Sequence, residues 1–229
     1  MATFVCLYID LDNSSGLSFE HHPKVMAKIY DYFTQNIVDI ITGEPFDAAY
    51  IDIKGDGVFG IFEGEKAAIR AFNAGLTFKT FFEKHIRPKF QKDGELFNCK
   101  LAISKDKILV KKIGLRGNNN EVWAGRVVNN AAKLASLTKS IYANNKNIDP
   151  SVHSLLVISG KVHDELIGQA PILQNHCGHD PRGNTAPKTP AWVSVDCSMD
   201  SSVYDNVAWY AQSIWCDICG DKYFSEVLN

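Results

Sequence analysis

The stretch YIDIKGDGVFGIF, residues 50–62, constrains the fold of this 229-residue chain more than any other. Apolar residues alternate on both arms and Gly-Asp-Gly supplies the turn, so the segment reads as a β-hairpin. Yet Asp52 and Asp56 sit in or beside the strands. Carboxylates are disfavoured there and cost stability if buried unpaired. A hairpin that keeps its acids calls for a reason beyond packing.

The elements around it follow from periodicity. A strand is expected over about residues 3–11. The segment PKVMAKIYDYFTQNIVDIIT places Met26, Ile29, Tyr30, Phe33, Ile37 and Ile40 at three-and-four spacing, a helix with one buried face. A second helix starts near Glu65, buries Ile69, Phe72, Leu76 and Phe82, and ends before Pro88. LFNCKLAISKDKILVKKI alternates about SKD and predicts another hairpin, followed by a turn-rich loop, GLRGNNNE. RVVNNAAKLASLTKSI is a third helix, and SLLVIS a short strand leading into SGKVHDELIG.

The order β-α-β-β-α-β, then strand, helix and strand, predicts an α+β, ferredoxin-like domain over residues 1–171. Its antiparallel-rich sheet is expected to carry helices on one face. Near residue 172 the texture changes to the Pro-, Gly- and Asn-rich HCGHDPRGNTAPKTP. Residues 172–229 are expected to form a small Cys- and His-containing C-terminal extension packed on the core. A formal net charge of -2 argues against a general nucleic-acid or anionic-membrane binder, and no apolar run approaches the roughly 20 residues of a membrane span. The N-terminal TFVCLYIDLD is too short and acidic for a secretory signal, so the six cysteines point to a reduced, cytoplasmic protein.

Asp10 ends the first strand and Asp56 sits at the hairpin tip, and in a ferredoxin-like sheet these positions are neighbours. Two converging carboxylates suit hard divalent cations, which take oxygen ligands together with substrate phosphates. Asn13 to Gly16, NSSG, offers backbone N–H groups where the next helix starts. Read singly, Asp10 and Asp12 are also ordinary caps of a turn, and Asp56 an ordinary turn residue. In the extension, HCGH and CDICG supply Cys177, His179, Cys216 and Cys219. These fit a structural zinc set, although the spacing is unlike a standard ribbon, and they fit reduced cysteines without metal equally well.

Three blocks, FVCLYIDLDNSSGLS, IDIKGDGVFGIFEG and WAGRVVNNAAKLASL, resemble the class III nucleotide cyclase catalytic domain in order and spacing. The third is similar to the family pattern G-x-x-V-N-x-A-A-R-L through Gly125, Val128, Asn129, Ala131, Ala132 and Leu134. The resemblance implies that Asp10 and Asp56 hold two metal ions, Mn²⁺ or Mg²⁺, that bind a nucleoside triphosphate. It places Leu11, Asn13, Ser14, Ser15 and Gly16 against the substrate. Asn129 stands where the family positions the ribose. Lys133 replaces the Arg that neutralises the transition-state phosphate, keeping the charge but losing the bidentate fork. The resemblance also implies a head-to-tail homodimer whose two active sites draw residues from both chains.

Adenylate-type members read the base with a Lys four residues before the hairpin acid and an acid seven before the Asn. Here those places hold Asp52 and Val122, which argues against adenine. Tyr50, on the same strand face as Asp52, and Trp123 offer rings that would narrow the pocket toward a smaller base, and Tyr50 reads equally well as a core strand residue. Within the family the pattern is most similar to the Pycsar pyrimidine cyclases of bacteria, which answer phage infection with cyclic UMP or cyclic CMP. That resemblance implies a uridylate cyclase and an effector activated by its product. No base-specific motif separates UTP from CTP. A purine cyclase with unfamiliar base contacts, or a silent nucleotide-binding module, are the other readings.

Overall fold

The structure, a computed structural model, describes residues 2–91, 97–115, 118–145, 148, 154–180 and 182–227, and in 110–124 the backbone alone. Strand β1 (Ala2–Leu11) lies between β3 (Gly57–Phe62) and β4 (Cys99–Leu115), antiparallel to both. A central strand is covered on both faces, which explains its near-continuous apolar sequence. Val5, Leu7, Ile9 and Leu11 point to one face and are fully or almost fully buried. Cys6 is buried on the other, as the period of two requires.

The rest of the sheet builds outward from this strand. The hairpin is formed by β2 (Tyr50–Lys54) and β3, with Tyr50 opposite Ile61 and Lys54 opposite Gly57. On the other side β4 pairs with β5 (Asn118–Gly125) and, in parallel, with β6 (Leu156–Ser159). Strands β7 (Val193–Asp196) and β8 (Val207–Ala211) complete an eight-stranded sheet of order β2-β3-β1-β4-β6-β8-β7, with β5 on β4. The 172–229 stretch therefore contributes two strands to the same sheet, β8 hydrogen-bonding directly to β6.

The leucine-rich face of β1 is covered by α2 (Pro23–Thr42), α3 (Ala67–Phe81) and α6 (Gly160–Gln169). Pro23 opens α2 where its missing N–H is no loss, and the His22 side chain accepts from Lys24 N at 3.2 Å. Its buried stripe is Met26, Ile29, Phe33, Ile37 and Ile41, so Ile41 replaces the expected Ile40. Phe33 meets Phe78 and Phe82 edge-on at 5.3 and 6.1 Å. Burying such a ring contributes roughly 2–3 kcal/mol.

Three expectations are corrected. Helices do not all lie on one face: α5 (Val127–Asn144) lies on the opposite side, packing Val127 and Ala131 on Cys6, Phe59 and Ile61. Periodicity reveals that a helix has a buried stripe, but not which face of the sheet receives it. SKD is not a turn, because β4 runs straight through it. Ser104 Oγ donates to Val127 O at 2.6 Å, Lys105 pairs with Glu165, and Asp106 pairs with Lys161 at 3.7 Å. Partners remote in sequence thus override local turn preference. The hairpin partner of β4 is β5, which begins within GLRGNNNE, and the pairing runs from Ile108–Gly125 to Leu115–Asn118. Finally, the helix does not stop before Pro88. A π turn, Phe82–Ile86, leads into α4 (Arg87–Phe90), whose first turn tolerates the proline. A short helix, α1 (Ser14–Glu20), follows β1, and α7 (Gly220–Val227) ends the described chain. Among the described residues no helix is long and apolar enough to cross a membrane.

Candidate active site

The β2–β3 connection is a two-residue loop, Gly55-Asp56, closed by the Lys54–Gly57 pair. Gly55 takes φ of +66°, which only glycine adopts at ease, and this leaves Asp56 projecting from the tip. Ile9 faces Val58 across the β1–β3 ladder, so the next pair outward sets Asp10 beside Gly57. A Cβ on Gly57 would lie 3.2 Å from Asp10 Oδ1 and 2.9 Å from Tyr8 Oη. The bare glycine is what lets the two strands present their acids side by side.

The electrostatics follow from this placement. Burial pushes the Asp10 carboxyl up to about 6, the Asp56 charge adds to the rise, and Lys100 opposes it. Asp56 Oδ2 is buried without a hydrogen-bond partner. Burial, then Asp10 and Asp56, push the Tyr8 phenol up to about 12, so it stays protonated. Lys100 stands directly across β4 from Asp10, its Nζ 3.8 Å from Asp10 Oδ2 and 3.1 Å from Asp12 Oδ1. Lys139 of α5 reaches Asp12 at 3.6 Å. Two adjacent carboxylates with an unpaired buried oxygen are the donor set that a hard divalent cation satisfies.

The other expected residues fall into three groups. Leu11 is buried in the core, so it can offer a ligand only its backbone. Asn13 enters α1 with φ of 54° and folds over Gly16, where a Cβ would meet Asn13 Cγ at 2.7 Å. Ser14 and Ser15 fill the same first turn. Tyr50 is half-buried, tilted over Phe59 at 6.3 Å on the α5 side of the sheet, and Asp52 pairs with Lys54 at 2.9 Å. The side chains of Val122 and Trp123 lie outside the described residues.

Asn129 is exposed on α5, and Lys133 lies 4.7 Å from the Tyr204 ring centroid. Arg126 approaches the same ring at 4.9 Å, and Asn130 Oδ1 accepts from Tyr204 N at 3.2 Å. Within one chain this face does not converge on the acids. Lys139 is the α5 residue that reaches Asp12, and a rise of ~1.5 Å per residue sets Asn129 roughly 15 Å back along the helix. In the extension, the ligand atoms of Cys177, His179, Cys216 and Cys219 all lie within 4.8 Å of one another.

Sequence reasoning missed Tyr8, Lys100, Gly57 and Arg126. Tyr8 was open to it, being two residues from Asp10 on the same strand face. Lys100 was not, because its place opposite Asp10 depends on the β1–β4 register.

No family model matches the chain. A curated relative named uridylate cyclase from Micromonospora echinofusca is 30% identical over 230 residues, covering 98% of this chain and 69% of its own. Another of that name from Propioniciclava tarda is 30% identical over 233 residues, covering 98% and 68%. Among solved structures, the adenylyl cyclase CyaB from P. aeruginosa superposes with a TM-score of 0.64 at 15% identity, over 94% of this chain and 96% of that one. The guanylyl cyclase Cya2 gives 0.63 at 15%, covering 94% of each.

Proposed function

From its membership of the class III nucleotide cyclases, the family of the proteins named uridylate cyclase, we propose that this enzyme converts UTP to 3′,5′-cyclic UMP and pyrophosphate. The observation that carries the site assignment is the pairing of Asp10 and Asp56 over Gly57, with one Asp56 oxygen buried and unpartnered. Asp10 and Asp56 would hold two divalent cations, Mn²⁺ or Mg²⁺, which when bound neutralise the triphosphate and lower the pKa of the ribose 3′-hydroxyl. The rigid sheet fixes both carboxylates relative to the substrate. In the reaction the 3′-oxygen bonds to the α-phosphorus, the bond to pyrophosphate breaks, and the 3′-hydroxyl proton leaves to solvent. Leu11 through its backbone, with Asn13, Ser14, Ser15 and Gly16, borders the triphosphate, and Tyr50 borders the base.

Asn129 and Lys133 complete the site from a second copy of the chain. The roughly 15 Å between Asn129 and the α5 residue that meets Asp12 supports this head-to-tail homodimer. Asn129 orients the ribose and Lys133 meets the charge developing on the α-phosphate. The product, a cyclic nucleotide, would act as a second messenger for an effector in defence against phage.

The test is to incubate the purified chain with ATP, GTP, CTP and UTP separately, each with Mn²⁺, and to identify products by mass. Cyclic UMP as the main product is expected. Cyclic CMP moves the base assignment to cytosine, and a purine product alone overturns the pyrimidine reading. No product from any substrate makes the chain a silent nucleotide-binding module. Asp56→Ala should abolish turnover while keeping the circular dichroism of the fold, and an active variant removes the acid-pair assignment.

A further inference from the structure

We propose that the C-terminal extension carries a structural zinc ion bound by Cys177, His179, Cys216 and Cys219. Two separate turns build the site. In Cys216–Gly220 the Cys219 N–H donates to Cys216 Sγ at 3.1 Å and the Gly220 N–H to Cys216 O at 3.1 Å. A sulfur that already accepts a backbone donor is set up to carry thiolate charge. In Cys177-Gly178-His179 the middle residue has φ of +88°, which glycine adopts at ease, and both flanking side chains bring their ligand atoms to the cluster.

The strand return behind that turn is locked by its own hydrogen bonds. Ala186 N donates to Gly178 O at 2.8 Å, and the Asp180 carboxylate accepts from Arg182 N, Asn184 N and Asn184 Nδ2, each at 2.9 Å.

The resulting geometry matches one metal. Cys177 Sγ is 3.5 Å from Cys216 Sγ, and Cys219 Sγ is 3.3 Å from His179 Nδ1. Bonds of about 2.3 Å to sulfur and about 2.0 Å to nitrogen give a tetrahedron with edges of roughly 3.5–3.8 Å. The Cys177 Sγ–Cys216 Sγ edge sits at the lower end of that range, the Cys219 Sγ–His179 Nδ1 edge falls just below it, and no pair exceeds 4.8 Å. A disulfide needs sulfurs about 2.05 Å apart, and all six cysteines are free. Three thiolates and an imidazole select zinc over the hard cations suited to Asp10 and Asp56, so the two sites load independently. Four protein ligands leave no open position, which makes the ion structural.

The site lies where packing is thin. Between the extension and α3 is a cavity of about 760 Å³, lined by Phe72, Leu76, Lys79, Trp192 and Trp215 together with the cysteines. Trp215 bridges it, its Nε1 donating to Thr77 Oγ1 and its backbone N to Thr80 Oγ1, both at 3.0 Å. Because Trp215 precedes the ligand Cys216, the ion would hold this bridge and the start of α7 on α3. It acts on the face of the sheet opposite the acid pair.

The experiment uses the full chain purified without a metal-affinity tag and dialysed against EDTA, with zinc counted by elemental mass spectrometry. About one zinc per chain is expected, falling to less than about a fifth in Cys216→Ser/Cys219→Ser. Protein grown in cobalt should show red d–d absorption and a thiolate charge-transfer band that the double variant lacks. Should that variant fail to fold, titrating the native protein with a mercurial should release zinc in step with three thiols. Zinc below about a fifth per chain in the wild type overturns the proposal. So does an intact mass showing a disulfide among these cysteines.

Discussion

Gly57→Ala tests the acid site with a single methyl group. Gly57 has an ordinary backbone conformation, outside the positive-φ set, so alanine is tolerated there without backbone strain. The added Cβ would lie 2.9 Å from Tyr8 Oη, 3.2 Å from Asp10 Oδ1 and 3.4 Å from Lys54 O. Carbon and oxygen rest at roughly 3.3–3.6 Å, so the Tyr8 hydroxyl must give way by about half an ångström and Asp10 by a few tenths. Both are side-chain ends that can yield. Replacing glycine also lowers the entropy of the unfolded chain, a gain of about 0.5–1 kcal/mol that offsets much of the crowding. Stability should change by less than about 1 kcal/mol, or under about 4 °C in Tm for a chain of this size. Catalysis is less forgiving, since a misplacement of about 1 Å costs roughly 10²-fold. A shift of half that size predicts a fall in kcat of about 10- to 100-fold, equivalent to about 1.4–2.7 kcal/mol of transition-state stabilisation. The assay is cyclic-nucleotide formation from the accepted triphosphate across a Mn²⁺ series, with thermal melts of both proteins. A variant that keeps kcat within about twofold of wild type refutes the argument that Asp10 and Asp56 act through their juxtaposition.

Three further outcomes are expected. Arg87 is buried, its Nη1 3.0 Å from Glu83 Oε2 and its Nη2 donating to Glu83 Oε1 and Asn98 Oδ1, each at 3.1 Å. Arg87→Ala strands that carboxylate and should cost about 3–5 kcal/mol in urea unfolding, and a loss below about 1 kcal/mol refutes it. Lys79 is fully buried, donates to Gln212 O at 2.6 Å, and is lowered by burial to about 8, with Glu83 opposing. The unfolded chain then binds the extra proton between pH 8 and the ordinary lysine value. Its destabilisation is full below pH 8 and fades as pH rises. Relative to Lys79→Met, wild-type stability should rise by roughly 3 kcal/mol up to about pH 10.5, and a flat difference refutes the shift. Tyr204→Ala removes the ring under Lys133 and Arg126, which at about 0.5–1 kcal/mol per cation should lower kcat several-fold with little change in Tm. An unchanged kcat would show that the ring does not position Lys133.

What could be read from sequence, and what could not, divides along a physical line. Met26, Ile29, Phe33 and Ile37 announce α2 because a helix stripe is a local property. YIDIKGDGVFGIF announces its hairpin because the glycines and the alternation lie within a few residues of one another. The straight run of β4 through SKD is not local, since it depends on Val127 O, Glu165 and Lys161 arriving from other elements. The continuation of helix past Pro88 depends on a π turn whose first residue, Phe82, packs on Phe33 and Phe97. Asp10 and Asp56 were within reach because element order alone makes β1 and β3 neighbours, whereas Lys100 required the register. The cysteine set stayed ambiguous for a similar reason. Unequal spacing conceals a common centre that appears only once Gly178 turns the chain and Ala186 N returns to bond its carbonyl.

The two faces of β1 explain how such a site is sustained. Cys6, Tyr8 and Asp10 face α5 and the acids, while Val5, Leu7, Ile9 and Leu11 face α2 and α3. Holding Asp10 partly desolvated beside Asp56 raises its pKa from 3.8 to about 6. Discounted for solvent screening, that is a cost of roughly 1–3 kcal/mol when no cation is bound. Leu7, Ile9 and Leu11 are almost fully buried on the opposite face, each contributing about 1.5–3 kcal/mol, so the strand that bears the repulsion is also among the most firmly held. An edge strand such as β2, half-buried at best, could not hold a carboxylate against that repulsion. Asp10 therefore belongs on the central strand, and Asp56 belongs on a tight loop at its flank, where one glycine sets the distance between them.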